Sequence, residues 1–385
     1  MEQNKTKLYD KYYKLLLVIP AVIILFSFLY LGNFYSKNND FIYKDISLTG
    51  GTTVTLFGDI DPQKLNEDLS PQIEDIITRE IYDLITNERK AVIIETKLES
   101  AQTKTILENY LGYKLTSANS SFEFTGSTLS ATFYNQLLTA IMVAFVLMGL
   151  VVFFIFSKEN LIKSYSAILS LLIVKIFYSN IQMVNFLAIF LIIILIPVIF
   201  YFSFKQKKKY FVPLAISIIS LLIIFFPFVY SDFSYVVIIA LSIALGIIYF
   251  KFSIPSFAVI ISAFADILMT LVLVDLLGIK MSSAGIVAFL MLIGYSVDTD
   301  ILLTTRILKR SEGSLNQRMF DAFKTGITMT LTSLVAIGVA VIIVNSFSTV
   351  LTQIFSILFI GLCFDIFNTW VTNASIIKWY MERGK

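Results

Sequence analysis

The residues of this chain best placed to do chemistry are four aspartates set inside apolar runs. They are Asp266 in "ISAFADILMT", Asp298 and Asp300 in "GYSVDTDILLTTR", and Asp365 in "GLCFDIFNTW". A charged side chain at the centre of a membrane helix costs about 2.5–3.5 kcal/mol on insertion scales, so such residues face a bundle interior, water or a partner. A buried carboxyl with no fixed cation beside it can hold and release a proton, so proton movement is the chemistry these positions fit. Asp298 is the leading candidate, followed by Asp266; Asp300, a further candidate, and Arg306 lie close enough to the cytoplasmic boundary that an interfacial anchor is the better reading for both. Asp275, before Lys280, reads as a boundary residue.

Spacing refines this. At about 100° per residue, Tyr295, Asp298, Thr299, Thr305 and Arg306 share an arc of roughly 120°, with Ser296, Asp300 and Thr304 opposite. A helix polar on two faces packs between other helices, and the competing role for Asp298 is a polar seam against a neighbour. Asp365, with Asn368, Thr369 and Asn373 along the same helix, could form an interhelical polar network. Lys324, at a similar depth, could serve as a switchable cation. The chain has no histidine and one cysteine, Cys363. A relay must therefore use Asp, Glu, Lys, Tyr and water, no internal disulfide forms, and no Cys/His cluster points to a metal. No phosphate-binding glycine loop is present, so ATP hydrolysis is not encoded here, and no cofactor is expected.

The positioning elements follow from composition. Of 385 residues 57% are hydrophobic and 15% charged, with a mean hydropathy of +0.81, against about 25% charged in an ordinary globular domain. This is the signature of an integral membrane protein. Spans of about 20 residues are expected at 15–34, 135–156, 254–277, 281–303, 325–345 and 349–375, with a cytoplasmic loop at 304–324 between the fourth and fifth of these. The first has a charged leader but no small-residue cleavage site and reads as a retained helix. The block 157–253 is almost pure aliphatic and Phe sequence, broken at "FYSN", "KQKKK" and "YSDFS", and divides into about four further spans. With that count the basic loops all fall on the cytoplasmic side with both termini, and 35–132 falls outside. Counting about 1.5 Å per residue, Asp266 lies about 18 Å deep, near mid-membrane, and Asp298 falls in the inner third.

Within 35–132 the pattern changes. "GGTTVTLF" (50–57), "EDIITREIYDLI", "KAVIIETKL" and "SFEFTG" read as strands. "DPQKLNEDL" has Asp61 as N-cap and Pro62 at the first helical position, and "SAQTKTILENYLG" has a Ser cap and a Gly112 stop. The order β-α-β-β-α-β is the ferredoxin-like arrangement. The expected fold is thus an α-helical membrane bundle with six core spans, about four inserted spans, and one extracytoplasmic α+β domain.

Several separated motifs, in order, resemble the SecF family of protein-export membrane proteins, the archaeal form in particular. They are "TGGTTVTL" with Gly50, Gly51 and Thr52, "TGSTLSATFYNQLLTAIMVAF", the run from "IPSFAVIISAFADILMT" to "GYSVDTDILLTTRILKR" with Gly294, Tyr295 and Ser296, and "KTGITMTLTSL". The resemblance covers about 1–156 and 254–385 and places the chain in the resistance-nodulation-division superfamily. It implies a subunit that pairs with SecD, associates with a SecYEG-type channel and exported polypeptides, contacts membrane lipids but no nucleic acid, and is no enzyme. In bacterial examples it implies use of the proton gradient. The acid of the bacterial motif falls on Thr299 here, Asp298 matches the acid of the SecD motif, Asp266 matches an acid of the third family span, and the bacterial basic residue falls on Thr325, one place after Lys324. The inserted block 157–253 departs from the family and reads as a lipid-facing or partner-binding annex. Two rival classes are a free-standing lipid or small-molecule pump, which usually needs twelve spans and larger outer domains, and an intramembrane aspartyl protease using Asp266 with Asp298, whose Gly-x-Gly-Asp element is missing.

Overall fold

A computed structural model of the chain describes residues 12–178 and 233–383, except 74–75, 84–85, 87 and 311, and only residues 190, 193 and 197 between 179 and 232. The two middle segments expected in the inserted block, and "KQKKK", lie outside the described residues. The protein is a multi-pass membrane protein. Seven described helices are long and apolar enough to cross a membrane. They comprise α1 (Val18–Asn38, its apolar helix beginning at Tyr12), α5 (Ser127–Phe156), α6 (Asn160–Phe177), α8 (Ile254–Leu276), α9 (Ser283–Lys309) and α10 (Leu315–Val344). The seventh, Thr349–Arg383, is α11 (Thr349–Phe367), a π-helical stretch Asn368–Asn373, and α12 (Ala374–Arg383) in one continuous element. A further apolar helix, α7 (Phe233–Phe252), precedes α8.

The helix starts in the second half have a common local cause. Ser253, Ser282, Ser314 and Ser348 stand at the N-caps of α8, α9, α10 and α11, and each hydroxyl accepts a backbone N–H three residues on, satisfying a donor the helix leaves open. Ser314 explains one correction: α10 begins at Leu315 rather than 325. The expected loop 304–324 shrinks to a few residues between Lys309 and Leu315, because α9 also continues past 303. Likewise α5 starts at Ser127, eight residues before the apolar run. Hydropathy marks the apolar part of a helix, and polar turns beyond it stay helical when capped, as at Ser314, or when packed, since α5 has no side-chain cap.

A four-stranded antiparallel sheet lies between α1 and α5 in sequence. Its strands are β1 (Gly51–Phe57), β2 (Ile77–Tyr82), β3 (Arg89–Thr96) and β4 (Ser120–Thr125), in spatial order β2-β3-β1-β4. A short helix α2 (Ile46–Thr49) precedes β1, and α3 (Pro62–Leu69) and α4 (Ser100–Leu111) follow β1 and β3, so the expected element order forms. Asp61 accepts from the N–H groups of Gln63 and Lys64, as its N-cap role requires. At α4 the cap position is Glu99, not Ser100, and no side-chain cap bond forms there. Val54, Leu56, Leu65, Leu69, Val92, Ile94 and Leu107 fill the space between sheet and helices.

In the membrane part α8 and α9 are deeply buried, whereas α1 and α10 are mostly exposed. The inserted α6 also sits inside: Leu161, Tyr165, Ile168 and Leu172 pack with Phe153 of α5 and Tyr249 of α7, and Ser166 donates to the Tyr249 hydroxyl at 3.3 Å. The serines of α6 let neighbouring helices approach closely, as small residues do in membranes. Close approach is tightest where α11 crosses α9: a Cβ on Gly361 would lie 2.5 Å from both terminal carbons of Leu292. Gly361→Val is therefore expected to force these helices apart and lower stability by about 1–3 kcal/mol, read as a drop in the thermal unfolding midpoint in detergent.

Candidate functional site

The aspartates meet where α8, α9 and α11 touch. Asp266, Asp300 and Asp365 are 0, 0 and 1% exposed. Ser296 Oγ of α9 donates to Asp266 Oδ2 at 2.6 Å, and Asn368 Nδ2 donates to Asp266 Oδ1 at 2.7 Å. Thr372 Oγ1 in turn donates to Asn368 Oδ1 at 3.0 Å, holding the amide in that orientation. Asp365 faces Thr299, whose Oγ1 lies 3.0 and 3.2 Å from its two carboxyl oxygens, and Thr369 Oγ1 lies 3.2 Å from Oδ1. Asp300 Oδ1 accepts from Asn373 Nδ2 at 2.8 Å and from Ser262 Oγ at 3.3 Å.

Helix geometry explains why these residues converge. Helices α8 and α9 are antiparallel, so Asp266 opposite Ser296 and Ser262 opposite Asp300 are successive rungs one turn apart, about 6 Å along the axis. The third helix supplies Asp365, Asn368, Thr369, Thr372 and Asn373, the last five-residue step made within the π-helical stretch. Such wide turns recur at functional sites, and this one points Asn368 and Asn373 at successive carboxyls. Every partner of the three acids among the described residues is a hydroxyl or an amide, and no ion pair reaches them. Charge is expensive in such a place, and each acid has its own hydroxyl or amide donors. Asp300 Oδ2 and Asn373 Oδ1 are buried without a hydrogen-bond partner, as befits an acid–amide contact that gains a bond when Asp300 carries a proton.

The structure sorts the sequence candidates. Asp266, Asp300, Asp365, Asn368, Ser296 and Thr299 come together. Asp298 and Tyr295 do not: both are exposed on the opposite side of α9, beside Gly294, whose Cβ position has nothing within 4 Å. Asp300, expected nearer the boundary, is the fully buried acid of the pair. The pairing of Asp266 with Asp298 that a protease would need does not form. Lys324 is exposed on α10, away from the carboxyls. Arg306 ties α9 to α10, donating to Asp321 O at 3.0 Å and to Thr325 Oγ1 at 2.7 Å. Gly50, Gly51 and Thr52 serve the join between membrane helix and sheet, where Thr52 Oγ1 donates to Leu98 O at 2.6 Å. Asn373 and Ser262 complete the network; Ser262, one turn before Asp266, carried a signal only once α8 and α9 are set side by side.

Comparison with known proteins now adds to this geometry. Residues 228–383, which contain all three acids, match the family model for the C-terminal region of the protein export membrane proteins SecD and SecF. This part of the chain belongs to the SecD/SecF family. The chain is 50% identical over 125 residues to the protein-export membrane protein SecF of Methanocaldococcus jannaschii, covering 32% of this chain and 44% of that one. It is 42% identical over 124 residues to the SecF of Pyrococcus furiosus, covering 32% and 41%. The aligned portion thus spans less than half the length of these relatives. Among solved structures, the crystal structure of SecDF, a translocon-associated membrane protein from Thermus thermophilus, superposes with a TM-score of 0.52 at 13% identity, over 97% of this chain and 38% of that one. The fold of that structure therefore extends over nearly the whole chain, including the α+β region.

Proposed function

We propose that this chain is the SecF subunit of a SecD–SecF complex, assisting polypeptide export through a SecYEG-type channel, and that the Asp266–Asp300–Asp365 network carries the protons that drive it. The cluster is the observation that supports this: three buried carboxyls, each held by its own hydroxyl or amide donors, inside the region that matches the export family. The exposed face of α9 supports a two-subunit device over a free-standing pump. Asp298, about 22 Å along α9, is too costly to face lipid, and Gly294 beside it leaves room for a partner helix. SecD is the partner this face fits.

The sidedness is part of the same reading. Lys158, Lys163, Lys251, Lys309 and Arg310 gather at the helix ends opposite the α+β region, so positive-inside logic puts both termini in the cytoplasm and the ferredoxin-like module outside. Of the insert, the described helices α6 and α7 pack beside α5 and α8.

The test is export of a secreted polypeptide into vesicles holding this chain, SecD and the channel, with and without a proton gradient. Wild type is expected to respond to the gradient and Asp300→Asn, still assembled, to lose the response. A full response in Asn variants of all three buried acids would overturn the coupling. For the partner face, Asp298→Leu should leave the isolated chain as stable as wild type while weakening co-purification with SecD about tenfold, equivalent to ~1.4 kcal/mol. Undiminished pairing would remove α9 from the interface.

A further inference from the structure

Helix α7 and the start of α8 meet in an apolar groove on the outside of the bundle. Its volume is about 460 Å³, and among the described residues it is lined by Ile243, Gly246, Ile247, Phe250, Lys251 and Phe257. The floor is open, because a Cβ at Gly246 would meet nothing within 4 Å. One wall is fixed: Phe250 and Phe257 pack edge to face with ring centroids 5.2 Å apart. The other side of α7 carries the helix packing, where Leu245 and Tyr249 are buried with Phe153 and Ile168. Ile243 and Ile247 therefore point away from the bundle, 58 and 59% exposed.

The groove follows α7 for about 12 Å, from 243 to 251, and ends on a cation. Lys251 is exposed and, among the described residues, enters no ion pair. Since α7 ends at Phe252 and α8 begins at Ile254, its ammonium stands at the membrane boundary while Ile243 and Ile247 lie at the depth of lipid tails. The corner around it is basic. Phe153 of α5 packs on Tyr249 at 4.7 Å between ring centroids, and Ser256 Oγ donates to Val152 O at 3.4 Å. These contacts bring the end of α5, with Lys158 and Lys163 just beyond it, to the same boundary, and Glu159 is the one acid in 156–163 and 249–256. An apolar trough that ends on a cation at the headgroup level fits a lipid tail beside an anionic headgroup.

We propose that the α7–α8 groove is a binding site for one anionic membrane lipid, its tail over Gly246 and its phosphodiester paired with Lys251. The tail lies against Ile243 and Ile247 and is stopped by the Phe250–Phe257 pair, so the apolar part of the site holds it by contact and burial alone and takes any tail of sufficient length. Selection is made at the headgroup. A zwitterionic lipid brings its own cation to Lys251 and gains little there, whereas a headgroup with net negative charge gains the full attraction. One lysine at the membrane surface is worth about fivefold in that choice. The inserted block thus acquires a ligand of defined chemistry. The site rests on α7 and α8 and does not depend on the export reading.

The test places the full chain in phosphatidylcholine nanodiscs doped with either a phosphatidylglycerol or a phosphatidylcholine that carries a photoreactive tail, and maps the labelled peptides by mass spectrometry. Labelling of α7 and of Phe257 should be about fivefold greater with the phosphatidylglycerol probe. The exposed face of α10 at Val335 and Val339 reports bulk lipid and should take both probes equally. Lys251→Gln should abolish the preference at α7 while leaving its labelling by the phosphatidylcholine probe unchanged. Gly246→Leu, which fills the floor, should lower labelling of the groove by both probes. Unfolding midpoints equal to wild type would show that both variants are folded, and Lys251→Gln, a change at an exposed position, tests the site on its own. Equal labelling of α7 by the two probes in wild type, a preference that survives Lys251→Gln, or an α7 face that takes no label because protein covers it, would overturn the site.

Discussion

Asp266→Asn is expected to leave the helix bundle assembled and to abolish the stimulation of export by a proton gradient, bringing the rate down to that measured without one. The asparagine keeps the shape of the aspartate and still offers an oxygen to Ser296 or Asn368, which now donate to the two carboxyl oxygens at 2.6 and 2.7 Å. It has no proton to give up at any accessible pH, so a relay that passes through this position stops. Asp266→Leu should do more. It leaves Asn368 Nδ2 without its acceptor in a buried site, at about 1–3 kcal/mol, whereas the Ser296 hydroxyl can turn back to a carbonyl of its own helix. The contrast separates the two roles. Loss of gradient response with an unchanged unfolding midpoint in the Asn variant assigns Asp266 to coupling, while equal midpoint losses in both variants would make it a structural tie between α8, α9 and α11.

Gly51→Ala should detach or unfold the α+β region, with a loss of about 2–4 kcal/mol. Gly50 and Gly51 adopt φ of 86° and 144°, which side chains rarely tolerate. Space is as limiting as torsion. A Cβ on Gly51 would collide with the Thr96 carbonyl oxygen of the adjacent strand β3, and one on Gly50 would lie 2.5 Å from Ser127 Cα at the start of α5. These are backbone atoms, so no rotamer change relieves the contact. Two glycines thus bring three elements together: the connector from α1, the first strand, and the helix that re-enters the membrane. Limited proteolysis gives a direct reading, since cleavage between 50 and 126 should rise steeply in the Ala variant while the helices from α8 onward stay resistant. Cleavage at the wild-type rate would mean the join tolerates a side chain and the glycines serve another purpose.

Much of this protein was legible in the amino-acid order, for a definite physical reason. Lipid admits only segments that satisfy their own backbone polar groups, so runs of apolar residues must become helices. The same constraint makes an aspartate within such a run conspicuous, and Asp266, Asp300 and Asp365 could be named from the sequence for that reason. The α+β region was equally legible, because Asp61 with Pro62, Gly112 and the β-branched runs each specify local conformation within a few residues. Helix ends were less so: α5 and α10 begin in polar turns whose helicity depends on a cap, as at Ser314, or on packing, and hydropathy does not register either.

What the sequence could not decide was which face of α9 turns inward. Its arc holding Tyr295, Asp298 and Arg306 and its arc holding Ser296, Asp300 and Thr304 are both polar, and periodicity alone ranks them equally. The tertiary structure decides between them by complementarity. Ser262 and Asp266 on α8, and Asn368 and Asn373 on the π-helical stretch, supply hydrogen-bond partners at the heights of Ser296 and Asp300, whereas among the described residues none hydrogen-bonds to Asp298. Burying Asp300 among those donors satisfies it, and leaving Asp298 on the open face keeps it for a partner. Local sequence therefore determined which segments are helices, strands and turns, because those choices are made within a few residues. The pairing of acids with their donors was left to the packing of three helices far apart in the chain, because a hydrogen bond across helices depends on the rotation and height of both.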